Sequence, residues 1–204
     1  MEHKLGAIFS PNDVRDYRLV ASTIATSYPA SFEIENMPEV KNQGKVGSCV
    51  AHAISTVIEY HSRKYGDDNR PMSVGYIYGN RKNTTHTGEG MITRDAVAVT
   101  CEYGDVPHEL FPYNREVPEI ITKFNDDIDE LYNFGYPQRF SSYYRITNDN
   151  EAKATLMKGN PIVMTMTWYE DIRVIDGVMT TKMEKQTGGH CMVIYGWNET
   201  GWLV

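Results

Sequence analysis

Between Cys49 and Lys64 the chain places Val50, Ala53, Ile54, Val57, Ile58 and His61 at three- and four-residue spacing, a stripe suited to a helix with one buried face. Gly47-Ser48 just before it supplies a turn and an N-cap. Cys49 therefore stands in the first turn of a buried helix, where free N–H groups and the helix dipole favour an anion. A thiol attacks a carbonyl only as its thiolate. A histidine brought alongside would take the proton and later return it to a leaving group. Gly44 and Gly47 allow a tight loop that exposes the sulfur. Gln43, six residues upstream, can offer its side-chain amide to a developing oxyanion, with the Cys49 N–H as second donor.

The rest of the chain reads as helices first and strands second. Ser73 caps a short helix through Val74, Ile77 and Tyr78; another runs from about Thr93 to Glu102 and ends at Gly104. Pro118 opens a further helix carrying Ile120, Ile121, Phe124, Ile128 and Leu131, and Glu151 to Lys158 forms a last short one, closed by Gly159 and Pro161. Ile162 to Trp168 is β-rich, Gly177-Val178 marks a turn, and Cys191 to Tyr195 reads as a buried strand. Asn198-Glu199-Thr200-Gly201 is a hairpin loop leading into Trp202-Leu203-Val204. Two segregated halves of this kind predict an α+β architecture. Residues 1–28 carry few periodic apolar positions and read as an extension lying on the body, crossing a cleft or bracing two lobes.

A chain of 204 residues suits one domain or two small lobes sharing a cleft. The net charge of −7 argues against nucleic acid as partner, because phosphate binding needs a basic surface. No apolar stretch approaches the roughly 20 residues of a membrane span. Met1-Glu2-His3-Lys4-Leu5-Gly6 lacks a secretory pattern. The three cysteines Cys49, Cys101 and Cys191 have no disulfide-framework spacing, so a reducing, cytoplasmic setting is expected. His52, His86, Cys101, His108 and Cys191 lack paired ligand spacing, so neither a metal nor a cofactor is expected. Cys101 is read as core, and the run Asp126-Asp127-Ile128-Asp129-Glu130 as a solvated helix face.

Gln43-Gly44-Lys45-Val46-Gly47-Ser48-Cys49-Val50-Ala51 resembles the Q-G-x-x-G-S-C-x-A segment of papain-like cysteine peptidases. In such enzymes a histidine follows about 130–150 residues later. Gly188-Gly189-His190 supplies one at 190 − 49 = 141. Cys191-Met192-Val193-Ile194-Tyr195-Gly196-Trp197 resembles the family's strand after that histidine. Leu5-Gly6 followed by Arg15-Asp16-Tyr17 is similar to the short amino-terminal segment of bacterial and viral members, and Pro29-Ala30-Ser31-Phe32 to the start of the mature domain. Leu156 to Val163 resembles the helix-to-strand passage opening the second lobe.

The resemblance implies a two-lobe fold over residues 29–204: a helical lobe at about 45–135, an antiparallel β-rich lobe at about 136–204, and the active-site cleft between them. It implies peptide-bond hydrolysis through an acyl-enzyme on Cys49, with His190 as general base and acid, Gln43 in the oxyanion hole, and a polypeptide substrate in extended conformation. Gly90, within Gly88-Glu89-Gly90-Met91, matches the glycine whose backbone pairs with substrate, and Gly189 forms a floor beside the histidine. The family's orienting asparagine would fall two positions beyond Val204, so a longer, C-terminally truncated chain is expected; Asn198 lies in the hairpin loop instead. Val46 stands where many secreted members carry a disulfide cysteine. Two alternatives stay open: a catalytically weakened homologue that binds peptides, and an amidase or transferase using the same dyad on cell-wall peptides.

Overall fold

The computed structural model describes residues 4–14, 16–17, 27–66, 68–86, 88–113 and 128–204. The segment from Pro118 to Asp127, where the sequence predicts the start of a helix, lies outside the described residues.

The elements that position the site begin with α1 (Cys49–Gly66), which buries Cys49, Val50, Ala53, Ile54, Val57 and Ile58 as its spacing predicts. The Ser48 carbonyl accepts the His52 N–H at 3.0 Å, so the helix ladder starts one residue before the thiol. A short buried α2 (Val74–Gly79) is capped by Ser73, whose side chain accepts the Tyr76 N–H at 3.0 Å. Then come α3 (Thr93–Tyr103), ended by Gly104 with its N–H on the Thr100 carbonyl, and α4 (Ile128–Gly135). The second half opens with α5 (Asp149–Met157). It starts two residues before the expected Glu151, because Asn148 caps the Glu151 N–H at 3.0 Å while the Glu151 carboxylate takes the Thr147 N–H at 2.6 Å.

The strands are β1 (Ala7–Ile8), β2 (Phe32–Glu33), β3 (Met91–Ile92), β4 (Ile162–Tyr169), β5 (Arg173–Ile175), β6 (Val178–Thr180), β7 (Gln186–Ile194), β8 (Gly196–Asn198) and β9 (Gly201–Leu203). β4 and β7 form a long antiparallel pair that sets Met166 opposite His190 and Thr165 opposite Cys191. Successive residues of a strand face opposite ways. The buried Cys191 joins the core with α1, leaving His190 on the other face, edge-on to the Trp168 ring at 4.9 Å. β8 bridges β2 and β9, and β5–β6 is a separate hairpin turning at Asp176-Gly177. Asn198 accepts the N–H groups of Thr200 and Gly201, which holds it in the turn before β9.

Two cores result. One gathers α1, α2, Met91, Val106, Phe111 and Cys191; the other joins Ile34, Leu156, Ile194 and Trp197 to Tyr60 near the end of α1. One helix therefore contributes to both, giving the mixed α+β fold with a helical first half and an antiparallel second half. Among the described residues, no helix is long and apolar enough to cross a membrane.

The amino-terminal stretch is woven into this frame. β1 pairs in parallel with β3. Ser10 Oγ accepts the Arg94 N–H at 2.9 Å, filling a donor of the first turn of α3 that Ile92 cannot cap. Asp16 receives Arg94 through two bonds of 2.7 Å and Arg145 through one of 2.9 Å, and the Tyr17 carbonyl accepts the Arg145 N–H at 2.8 Å.

Candidate active site

Three pieces of chain meet at Cys49. Its own helix provides the first-turn amides, β7 passes against α1, and residues 4–8 lie across the top. The thiol is 1% exposed. Burial raises its pKa above the ordinary thiol value, while the backbone amides of Cys191 and Gly6, and those of Val50 and Cys49 itself, act in the opposite sense. Cys191, next to His190 on β7, shares a buried cluster with Cys49, so the strand that carries the imidazole lies against the helix that carries the thiol.

Gln43 is 8% exposed, and its Nε2 donates to the Val46 carbonyl at 3.0 Å and to the Lys4 carbonyl at 2.6 Å. The first bond fixes the side chain against the loop leading to Cys49. The second places a peptide carbonyl on the amide assigned to the oxyanion. The Gln43 main chain is held too: Tyr113 Oη donates to its carbonyl at 2.8 Å and lies 2.7 Å from Ser48 Oγ. Ser48 Oγ is also 3.3 Å from His52 Nδ1, and the His52 ring stands edge-on to Tyr113 at 5.0 Å. Burial drops the His52 pKa to about 4, so this ring is neutral at working pH and props the loop as an uncharged group.

Gly90 has φ +91, and a Cβ there would run into the Gly6 carbonyl. Its N–H donates to Tyr78 Oη at 3.2 Å; the neighbouring Met91 N–H donates to the Gly6 carbonyl at 2.9 Å. The strap's own backbone pairing at this wall runs through Met91. Gly189 is buried beneath the strap, where a Cβ would overlap the Ala7 carbonyl, and Gly188 packs on Leu5. On the opposite side a Cβ on Gly6 would overlap the Gly47 carbonyl. Residues 4–8 thus fill the space bounded by Gln43, Gly47, Gly90 and Gly189, the positions singled out in the sequence.

Tyr113 and Glu89 are the participants that sequence reasoning missed; Ser48 it read as the N-cap, and residues 1–28 as an extension crossing a cleft or bracing two lobes. Glu89 pairs with Lys4, and its Oε1 lies 3.5 Å from the Gly47 N–H. The one available signal was the Leu5-Gly6 dipeptide, since only a residue without a Cβ fits against Gly47. Cys49, Cys101 and Cys191 are unpaired thiols, and burial raises the pKa of Cys101 and Cys191 also. Among the described residues, no group of three His, Cys, Asp or Glu side chains could hold a metal ion.

A helix-borne thiol set against an antiparallel strand is the layout of thiol peptidases, and the chain belongs to the papain family of cysteine proteases: the model of that family matches residues 28–203. It is thereby a cysteine-type peptidase, a hydrolase whose substrates are polypeptides. Among solved structures, xylellain, a cysteine protease from Xylella fastidiosa, superposes with a TM-score of 0.80 at 23% identity, over 96% of this chain and 80% of that one. Procathepsin B S9 from Trypanosoma congolense gives 0.66 at 18% identity, over 95% and 70%. Digestive procathepsin L 3 of Tenebrio molitor gives 0.65 at 16%, and there the chain spans 60% of its counterpart's length. A search of curated proteins gives no match.

Proposed function

We propose that this peptidase works through a thiolate on Cys49, with His190 as general base and acid and with Gln43 and the Cys49 N–H holding the oxyanion, and that residues 4–8 keep the site latent. The observation that supports it best is the occupancy of the site: the Lys4 carbonyl already sits on Gln43 Nε2 at 2.6 Å, and Leu5, Gly6 and Ala7 pack on Gly188, on Gly47 and Gly90, and on Gly189.

The chemistry follows from these roles. The Cys49 proton passes to His190, and the thiolate adds to the scissile carbonyl carbon, pushing charge onto the oxygen held by Gln43. Collapse breaks the C–N bond, and the imidazolium gives its proton to the departing amine. Water, deprotonated by His190, then attacks the thioester, releasing the acid and restoring the thiol. The strap's carbonyls are held by hydrogen bonds, that of Lys4 by Gln43 Nε2 at 2.6 Å and that of Gly6 by the Met91 N–H at 2.9 Å, which fixes its path through the site.

Gly6→Ala tests both halves, because the added methyl has no room against Gly47 and must lift the strap. A peptidyl vinyl sulfone should add to Cys49 at least about tenfold faster in this variant than in the parent, and unfolded casein should be cleaved faster. Cys49→Ala should abolish both signals. A folded Gly6→Ala protein that takes no adduct would overturn the peptidase reading; equal rates in parent and variant would overturn latency alone. Parallel assays on peptidoglycan distinguish a cell-wall amidase.

A further inference from the structure

We infer that Glu89 selects the residue on the acyl side of the scissile bond and that the enzyme takes lysine or arginine there. This rests on the peptidase reading above. In any substrate, the residue whose carbonyl sits on the oxyanion donor is the acyl-side residue, and its side chain starts one bond from that carbonyl. The strap already supplies such a residue: Lys4 has its carbonyl on Gln43 Nε2 at 2.6 Å and its ammonium on the Glu89 carboxylate. A side chain of lysine length, starting from a carbonyl at the oxyanion donor, therefore reaches Glu89. The carboxylate is well placed for this. Its Oε1 lies 3.5 Å from the N of Gly47, two residues before the nucleophile, and the adjoining Gly90 closes on the Gly6 backbone.

The strap runs through the site with Lys4 and Gly6 on two different groups, so its register is not that of a substrate. What transfers is the span within one residue, from carbonyl to ammonium. The Glu89 side chain is 35% exposed and that of Lys4 54%, which bounds the effect. A solvent-exposed pair yields a preference of about fivefold or less, one that shrinks with salt.

The test uses three fluorogenic peptides identical except for Lys, Gln or Glu on the acyl side, assayed with the chain carrying its strap and with its Gly6→Ala form. Each is compared with and without Glu89→Gln or Glu89→Lys. The Lys:Gln ratio of kcat/KM within one protein cancels any change in strap occupancy. The ratio should be about three- to fivefold with Glu89, fall to near one in Glu89→Gln, and give way to a preference for the Glu peptide in Glu89→Lys. Raising the salt should compress the first ratio and leave the second alone. Turnover with the same Lys:Gln ratio in all three proteins would overturn the assignment and leave the peptidase reading standing. No turnover of any peptide in either background would overturn both.

Discussion

Asp105 is wholly buried, in the connection after α3, and its Oδ1 accepts the Val106 N–H at 2.8 Å. Burial pushes its pKa up to about 8, against the partial relief given by Lys41 and by the neighbouring Val106, Ser55 and Ser73. Its carboxyl is therefore neutral in the folded protein where the unfolded chain has ionised. The contribution to stability is complete below about pH 4, is lost as pH rises toward 8, and is level beyond that. Asp105→Asn keeps the Val106 acceptor and removes the titration. Urea unfolding at pH 5, 6 and 7 should show the variant gaining on the parent by about 1.4 kcal/mol per pH unit. Nothing in the sequence marks Asp105 as buried, since its surroundings come from Lys41, Ser55 and Ser73. Cys49 and Gln43 differ: their setting is built within seven consecutive residues, so the loop and helix start can be read directly. His190 was expected from its spacing to Cys49, its Gly188-Gly189 approach and the strand that follows, whereas Tyr113, a tyrosine in a loop, carried no local signal.

At the scale of elements, legibility follows the range of the interactions. Helix α1 declared itself by its stripe, α2 by Ser73 and α3 by Gly104, because caps and stripes are local. Ser73 holds more than its helix: its Oγ accepts from Tyr76 and donates to the Phe111 carbonyl, two residues before Tyr113. Ser73→Ala should cost about 1–2 kcal/mol through the lost cap, read as a lower urea midpoint with unchanged slope. The start of α5 was open to the same reasoning, through Asn148 and Glu151, and was set two residues late. β1 and β3 were not legible at all. Each has two residues, no alternation can be seen over so short a run, and the pair joins positions 84 residues apart (91 − 7 = 84).

For the molecule as a whole, the stretch before β2 ties the halves together. Arg94 stands in α3 and Arg145 ahead of α5, and both close on Asp16, whose side chain is 6% exposed. The two guanidiniums hold this carboxyl below its ordinary pKa, so the stability it gives is present above about pH 4 and fades as pH falls lower. Asp16→Ala should loosen the strap without touching the cleft, raising the rate of vinyl sulfone addition to Cys49 several-fold at neutral pH and lowering Tm. The two-lobe layout was legible because helices and strands segregate along the sequence; for residues 1–28 only the alternatives of crossing a cleft or bracing two lobes could be read, since the contacts of residues 4–8 and of Asp16 come from groups in both halves. That path has a kinetic corollary. An inhibitor carried on the same polypeptide as its target acts at an effective concentration on the order of millimolar, whatever the protein concentration. Dilution cannot free this enzyme; a competing substrate, or a cut between residue 8 and the Asp16 anchor, can.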